Sequence, residues 1–260
     1  MIAADLRVIQ RRGTVALASR EVRRVLSLWT QTILPPVATA LLFLVVFGAA
    51  LDSRVREIEG LDYLSFMLPG LLVMTTVSAA VANASTSLYQ AKSEGYIEDV
   101  LTSPLRPWQI VAGYAAGSVA RAWVSAVVVA LAAAPFTTGV AHAVGAVAAL
   151  AIAAFVFASL GVIVGIVAET YDQHAFVTNL LVTPLALLAG VFYSARALGE
   201  PWETLTRLDP LYYLVDATRY GFTGHNDAPV LISLGAAAAV GIAVFGLAVA
   251  FVGRGWRLKP

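Results

Sequence analysis

Five long stretches of the chain contain no charged residue. They cover Val25–Leu51, Tyr63–Ala91, Ala122–Ala168, Gln173–Ala195 and Ala228–Gly253. A helix that crosses a bilayer needs about 20 mostly apolar residues. Four stretches are long enough for one crossing each, and the third is long enough for two. The pattern therefore predicts six membrane-spanning helices.

Local sequence sets the boundaries of these spans. The long stretch divides at Pro135–Gly139, which has turn chemistry, and the apolar run Trp108–Gly117 joins its first half across Arg121. The predicted spans are residues 31–51, 64–88, 108–134, 143–168, 176–195 and 230–253. They are too apolar and too continuous for β-barrel strands, which alternate about every second residue. We therefore predict an all-α membrane protein, with residues 1–260 in a single transmembrane domain.

An amphipathic helix is predicted over residues 15–29, ahead of the first span. Its apolar residues recur at spacings of three and four: Val15, Ala18, Val22, Val25, Leu26 and Trp29. Arg20, Arg23 and Arg24 lie on the opposite side. We expect this helix to lie in the membrane surface with its arginines toward the lipid headgroups. The alternative is a basic flank without a surface helix.

The loop between the second and third spans predicts a short helix over Tyr96–Thr102. Ile97, Val100 and Leu101 share one face, while Glu98 and Asp99 flank it. Prolines 104 and 107 follow and bound the segment. A short, stiff helix suits docking to a partner, because little conformational entropy is lost on binding. An ordinary connecting loop is the alternative.

Two short helices, about residues 201–208 and 210–222, are predicted before the last span. Asp209 followed by Pro210 is typical of a helix start. The second helix is so apolar that we expect it to dip back into the outer leaflet, packed against protein. Asp216 and Arg219 are three apart and are expected to form an ion pair on one face. The alternative is a surface helix with an ordinary ion pair.

Composition and charge support a membrane protein and set its orientation. Apolar residues make up 59% of the 260 and charged residues 13%, against about 45–50% and 25% in soluble domains. The net charge of +1 argues against nucleic acid as a partner. Six spans place both termini on one side, which carries 11 basic residues against 5 on the other. Both termini are therefore predicted to be cytoplasmic.

Motifs for catalysis are missing from the sequence. There is no G-x-x-x-x-G-K-[ST], H-E-x-x-H or G-x-S-x-G motif, and the chain has no cysteine. His142, His174 and His225 fall in three separate predicted loops, which makes a metal site a poor prediction. We therefore expect no catalytic residue, no bound cofactor and no metal in this chain.

Polar residues inside the predicted spans leave two interpretations open. In the first interpretation Arg121 contacts an anionic substrate or forms a coupling ion pair with Glu169 or Asp172. In the second it snorkels, so that its guanidinium reaches the cytoplasmic edge of the membrane. The second span carries a stripe of small and polar residues: Thr76, Ala79, Ala80, Asn83, Thr86, Ser87 and Gln90. This stripe suits either close helix packing or a wall of a translocation path.

Several segments together resemble the permease subunit of type-2 ABC exporters, and within it the bacterial YadH-like subgroup. The most specific match is Thr183–Ser194, followed by Trp202 and Leu208–Phe222. Gly95–Leu105 is the second match. The arginine-rich start together with Trp29–Pro36 is the third. The resemblance covers nearly the whole chain.

The resemblance implies that the chain works with partner molecules. It implies a second permease copy in a homodimer, two ABC ATPase subunits that hold ATP and Mg²⁺, and surrounding membrane lipids. It places the protein in the bacterial inner membrane. The cargo would be an amphipathic drug-like molecule or lipid, with a lipid-linked glycan or polysaccharide as alternative. An ion-gradient-driven secondary transporter is a rival from another class.

The resemblance also implies roles for particular residues. It makes residues 95–102 the coupling helix, the short cytoplasmic helix that contacts the ATPase, with Glu94, Tyr96, Ile97, Glu98 and Leu101 as its contact residues. It also implies that the second and fifth spans face the dimer axis. The candidate pathway and gate residues are Asn83, Arg121, Asn179, Phe192 and Tyr193.

Overall fold

The computed structural model describes residues 2–51, 57–136 and 139–258. The helices are α1 (Ile2–Ser27), α2 (Trp29–Thr32), α3 (Leu34–Leu51), α4 (Tyr63–Ser93), α5 (Ile97–Thr102), α6 (Pro107–Ala133), α7 (Ala143–Val167), α8 (Tyr171–Leu188), α9 (Trp202–Leu208), α10 (Pro210–Thr223) and α11 (Val230–Arg254). Strands β1 (Glu57–Ile58) and β2 (Leu61–Asp62) form a small antiparallel hairpin. Apart from this unpredicted hairpin, the fold is helical, as expected of the predicted class.

Four helices are long and apolar enough to cross a membrane. They are α4, α6, α7 and α11. The apolar run of α3 is shorter, from Leu34 to Phe47. The first turn of α8 contains polar residues such as Asp172 and Gln173. Within the described residues, length and composition therefore identify four strong spans, and α3 and α8 are weaker candidates.

Helix α4 is the centre of the bundle and is buried along most of its length. It packs against α7 through glycines: a Cβ on Gly161 would stand 2.7 Å from the Val81 carbonyl oxygen, and one on Gly165 would stand 2.9 Å from the Ser85 carbonyl oxygen. Such close backbone approach is typical of membrane helices. Most of the small, polar stripe on α4 lies inside the bundle: Thr76, Ala79, Ala80, Asn83 and Ser87 are buried.

Helix α1 differs from the predicted surface helix over residues 15–29. It begins at Ile2, ends at Ser27, and packs on α6, where Leu17 faces Gly113 and Glu21 faces Gly117. The predicted apolar stripe is split, because Val25 is fully buried. The prediction was wrong about the bounds. It also missed that the glycines of α6 provide a groove for the face of α1 that contains Glu21.

Helix α8 also differs from its predicted span of 176–195. It begins at Tyr171, because the Thr170 side chain accepts a hydrogen bond from the Gln173 N–H at 3.1 Å. It ends at Leu188, two residues before Gly190, whose φ of +73° is unfavourable for other residues. His174, expected in a loop, is therefore inside this helix.

The remaining predicted elements agree more closely. Helices α6, α7 and α11 match the predicted spans to within a residue at each end, and α4 runs on to Ser93 instead of residue 88. Helices α9 and α10 match the two predicted short helices, and the Asp209 side chain caps α10 by accepting from the Leu211 N–H at 2.8 Å. Part of the predicted turn (Thr137, Thr138) and three basic residues behind the orientation (Arg54, Arg56, Lys259) lie outside the described residues.

Candidate functional site

The short helix α5 lies at the end of the bundle where α4 ends and α6 begins. Gly95, with a φ of +84°, turns the chain out of α4. Ile97 is buried in a cluster with residues of α1, α4 and α6, whereas Glu94, Glu98 and Asp99 are exposed. Leu101 is half-buried against the same cluster. The helix is thus anchored by one apolar face and presents an acidic face outward.

Tyr96 links α5 to α1. The Arg20 guanidinium lies 5.2 Å from the centre of the Tyr96 ring and 5.9 Å from that of Tyr114 on α6. Burial raises the pKa of the Tyr96 phenol, so the ring is neutral at physiological pH. Arg20 also pairs with Glu21 at 2.9 Å. A cation–π contact therefore joins the start of α5 to α1.

A buried polar network joins α1 to α4 and α6. Glu21 is 1% exposed. It pairs with Arg24 at 3.3 Å and accepts the hydroxyl hydrogen of Ser87 at 2.5 Å. Arg24 in turn donates to the Asn83 side-chain oxygen at 3.2 Å, and the Asn83 amide donates to Ser118 Oγ on α6 at 3.1 Å. Arg20 and Arg24, expected to face lipid headgroups, instead neutralise this buried acid.

Arg121 lies beside this network on α6 without joining it. Its Nε is buried, and in residues 2–51, 57–136 and 139–258 it forms no hydrogen bond or ion pair. Glu169, one of its two predicted partners, lies 3.5 Å from Arg257 instead. The predicted pairing with Glu169 or Asp172 was wrong, because α8 starts at Tyr171 and these acids stay at the end of the bundle.

Helix α8 contacts the bundle through His174 in its first turn and through Val182 and Ala186 in its second half, which are buried in the main apolar core. His174 is buried, lies 3.0 Å from the Thr86 hydroxyl of α4, and stacks on Tyr89. Asn179, a predicted pathway residue, is exposed on this single chain, as is Phe176. The structure therefore leaves one face of α8 open beside α4.

The chain after α8 forms an aromatic cluster with α3. The Phe192 ring lies 5.0 Å from Phe47 and 5.3 Å from Phe43, and its carbonyl accepts from the Tyr63 hydroxyl at 3.4 Å. Tyr193 turns away and donates to the Leu188 carbonyl at 2.8 Å. Phe192 and Tyr193, the predicted gate residues, are thus adjacent in sequence but have different surroundings.

Asp216 and Arg219 do not form the predicted ion pair. Asp216 accepts the N–H groups of Asp227 and Ala228 at 2.9 and 3.0 Å, which fixes the segment that leads into α11. Arg219 is 3% exposed and donates to the Gly190 carbonyl at 2.8 Å, with its guanidinium 3.8 Å from the centre of the Phe66 ring. Backbone groups left free by turns are the stronger partners here, because they have no other way to be satisfied.

Loops at the α10 end of the bundle bring Glu59, His225 and Asp227 together, with ligand atoms within 4.8 Å of one another. Ser194 donates to Glu59, which also lies 3.5 Å from the His225 ring. Tyr212 donates to one Asp227 oxygen at 2.9 Å, and Arg196 pairs with the other at 2.6 Å. Glu59 and Asp227 therefore connect the loops that carry Ser194, Arg196 and His225.

A bundle with four helices long and apolar enough to cross a bilayer is typical of a polytopic membrane protein. The chain matches the ABC-2 type transporter family over residues 12–223. It is 34% identical to the inner membrane transport permease YadH of Escherichia coli strain K12, over 94% of this chain and 97% of that protein. Nodulation protein J of Rhizobium meliloti strain 1021 is 26% identical, over 88% of this chain and 87% of that one.

The chain therefore belongs to the ABC-2 type transporter family and is a membrane transport permease. The resemblance predicted from the sequence is confirmed. Members of this family are the membrane subunits of transporters and generally work with an ABC ATPase. Sequence reasoning missed Glu21 as the centre of the buried network. The spacing of Gly113 and Gly117, one helical turn apart, was the signal that could have found it.

Proposed function

We propose that this chain is the permease of an ATP-driven exporter in the bacterial inner membrane, with both termini in the cytoplasm. In this proposal α3, α4, α6, α7, α8 and α11 are the six spans, and α9 and α10 form a re-entrant pair at the outer end. The basic residues favour this orientation. The burial of α10 against α4 and α7 supports its placement inside protein rather than in water.

Two permease copies would assemble with two ATPase subunits. The exposed face of α8 beside α4 is where a second copy would pack, which brings the fifth span and Asn179 toward the dimer axis. The exposed acidic face of α5 is where each ATPase would dock, with Glu98 as its central contact. The observation that carries the proposal is this outward acidic face on a helix whose other side is locked into the bundle by Ile97.

The contacts around α5 supply a route for coupling. When ATP binding draws the ATPases together, α5 would shift and pull α1 through the contact of Tyr96 with Arg20. The bonds of Glu21 to Ser87 and of Arg24 to Asn83 would pass this movement to α4. The path along the dimer axis would then open outward past Phe192 and Tyr193. The cargo that suits such an apolar outer end is an amphipathic molecule, drug-like or lipid.

Charge reversal on α5 tests this proposal. Glu98→Lys should abolish most of the stimulation of ATPase activity that the permease gives to its cognate ATPase in proteoliposomes, because it places a cation where an acid contacts the partner. Glu57→Lys, which reverses an exposed acid of β1 at the opposite end of the proposed topology, is the control and should leave stimulation unchanged. Normal stimulation by the Glu98→Lys permease, correctly inserted, would remove α5 from the coupling role.

A further inference from the structure

A cavity of about 390 Å³ lies where the first turns of α1 meet the start of α6. We call it the α1–α6 cavity. Its basic and aromatic lining residues are Arg7, Arg11, Arg106 and Trp108. Its amide side chains are Gln10 and Gln109. No role described so far uses these residues.

Fixed contacts hold the walls of this cavity in place. On the α1 side, the Gln10 amide donates to the Pro104 carbonyl at 2.8 Å and ties the helix to the loop after α5. On the α6 side, the Arg106 N–H donates to the Gln109 side chain at 2.8 Å, which sets the first turn of α6. Further along, Leu17 fits against Gly113. The cavity is therefore part of the helix packing and not a gap between loose segments.

All charged residues that line the cavity are positive. Three guanidinium groups line it, and no Asp or Glu does. Across the described stretches of the chain, Arg7, Arg11 and Arg106 form no ion pair. The three arginines are exposed, so an anion between them is favourable but not required. The planar fork of arginine matches the oxygens of a phosphate group, so the lining favours a phosphoryl anion.

The cavity lies at the level where the apolar spans end. A Cβ on Gly253 would stand 3.4 Å from Pro107 Cγ, so α11 ends beside the start of α6. At this level Trp108 and Trp256 are 47% and 42% exposed, and Arg254 follows the apolar run of α11. Exposed tryptophans together with arginines mark the headgroup layer of a membrane. An anion that reaches the cavity from this layer is a lipid headgroup.

We propose that the α1–α6 cavity binds the phosphate of an anionic phospholipid from the cytoplasmic leaflet. The glycerol backbone would lie beside Trp108, and the acyl chains would continue along the exposed Val15, which is 60% exposed. The single negative charge of the bound phosphate would offset part of the repulsion among the three arginines and hold α1 against α6. This inference does not depend on which cargo is carried or on how the ATPase docks.

Lipid binding to the purified full-length permease in detergent tests the proposal. Native mass spectrometry would compare phosphatidylglycerol with phosphatidylcholine, and inorganic phosphate would be the free-anion competitor. Phosphatidylglycerol should bind at least about tenfold more tightly than phosphatidylcholine. Each of Arg7→Gln, Arg11→Gln and Arg106→Gln should weaken it about fivefold, because a basic residue near an anionic surface contributes about 1 kcal/mol.

Matched variants separate this site from general charge attraction and from misfolding. Arg23→Gln removes an exposed arginine of α1 outside the cavity and should change the affinity less than about twofold. The triple lysine variant, Arg7→Lys with Arg11→Lys and Arg106→Lys, keeps the charge but loses the planar fork, and it should keep a reduced preference for phosphatidylglycerol. Retained preference in that variant shows that the fold is intact.

Several results would overturn the proposal. Equal binding of the two lipids, or an equal loss with Arg23→Gln, would show that no specific site exists. Competition by inorganic phosphate at the concentration of lipid would make the cavity a free-anion site. If the triple glutamine variant kept its lipid affinity but lost its ATPase, the three arginines would belong to a protein interface instead.

Discussion

Individual charged residues behave in ways that the linear pattern does not reveal. Arg20, Glu21 and Arg24 are one turn of a basic amphipathic helix in sequence, yet the structure buries the acid and wraps the arginines around it. The sequence shows which residues are charged. It does not show which of them are buried, because that depends on which face of α1 meets the glycines of α6, and this contact joins residues about 100 positions apart.

Glu21→Gln should lower the stability of the purified permease. The substitution keeps the shape but removes the charge that Arg24 and Ser87 share, and a hydrogen bond to a charged group contributes about 2 kcal/mol. The melting temperature in detergent, followed by tryptophan fluorescence, should fall by several degrees. Asp99→Asn changes an exposed acid on α5 and should leave it unchanged. An unchanged melting temperature for Glu21→Gln would mean that the network carries no stability.

Lys92 is a half-buried side chain that joins two helices. Its ammonium group donates to the carbonyls of Ile166 and Ala168 at 2.6 and 2.9 Å, where α7 ends, and cations are favoured at helix C-termini. Lys92→Met should therefore destabilise the permease by about 1–2 kcal/mol, seen as a lower melting temperature. Lys92→Arg should recover part of the loss. Equal melting temperatures for the methionine and parent proteins would contradict this role.

At the scale of elements, the apolar pattern predicted long spans well and short or capped helices less well. Helices α6, α7 and α11 end where charged or turn residues end the pattern. The start of α8 is set by the Thr170 cap and its end by the turn at Gly190, and neither is visible in hydrophobicity. The polar first turn of α8 also explains why its predicted span was placed five residues too late.

Close packing of α4 against α7 gives the sharpest prediction for an element pair. Gly161→Ala places a methyl group about 2.7 Å from the Val81 carbonyl oxygen, so the helices must separate. Overpacking of this kind costs about 1–3 kcal/mol, and unfolding in SDS should begin at a lower SDS fraction. Gly246→Ala on α11 has open space and is the control, which should be neutral or slightly stabilising. Equal effects of the two substitutions would contradict the α4–α7 contact.

At the scale of the whole molecule, a series of contacts connects α5 to the centre of the bundle. The chain from Tyr96 through Arg20 and Glu21 to Ser87 crosses three helices without leaving the protein. Under the proposed function this connection would carry movement from an ATPase into a bundle that has no nucleotide motif of its own. The sequence predicted the short helices α5, α9 and α10, but not the contacts that join them to the long helices.

Site-directed cross-linking tests the central claim, which is that α5 is the surface on which the ATPase docks. The natural chain has no cysteine, so Glu98→Cys creates a unique attachment point in the assembled complex. Glu203→Cys, on α9 at the opposite end of the proposed topology, is the matched control. Our account predicts that a short thiol-reactive cross-linker in intact membranes joins position 98, and not position 203, to the ATPase. A co-purifying ATPase that cross-links at position 203 or fails to cross-link at position 98 would contradict it.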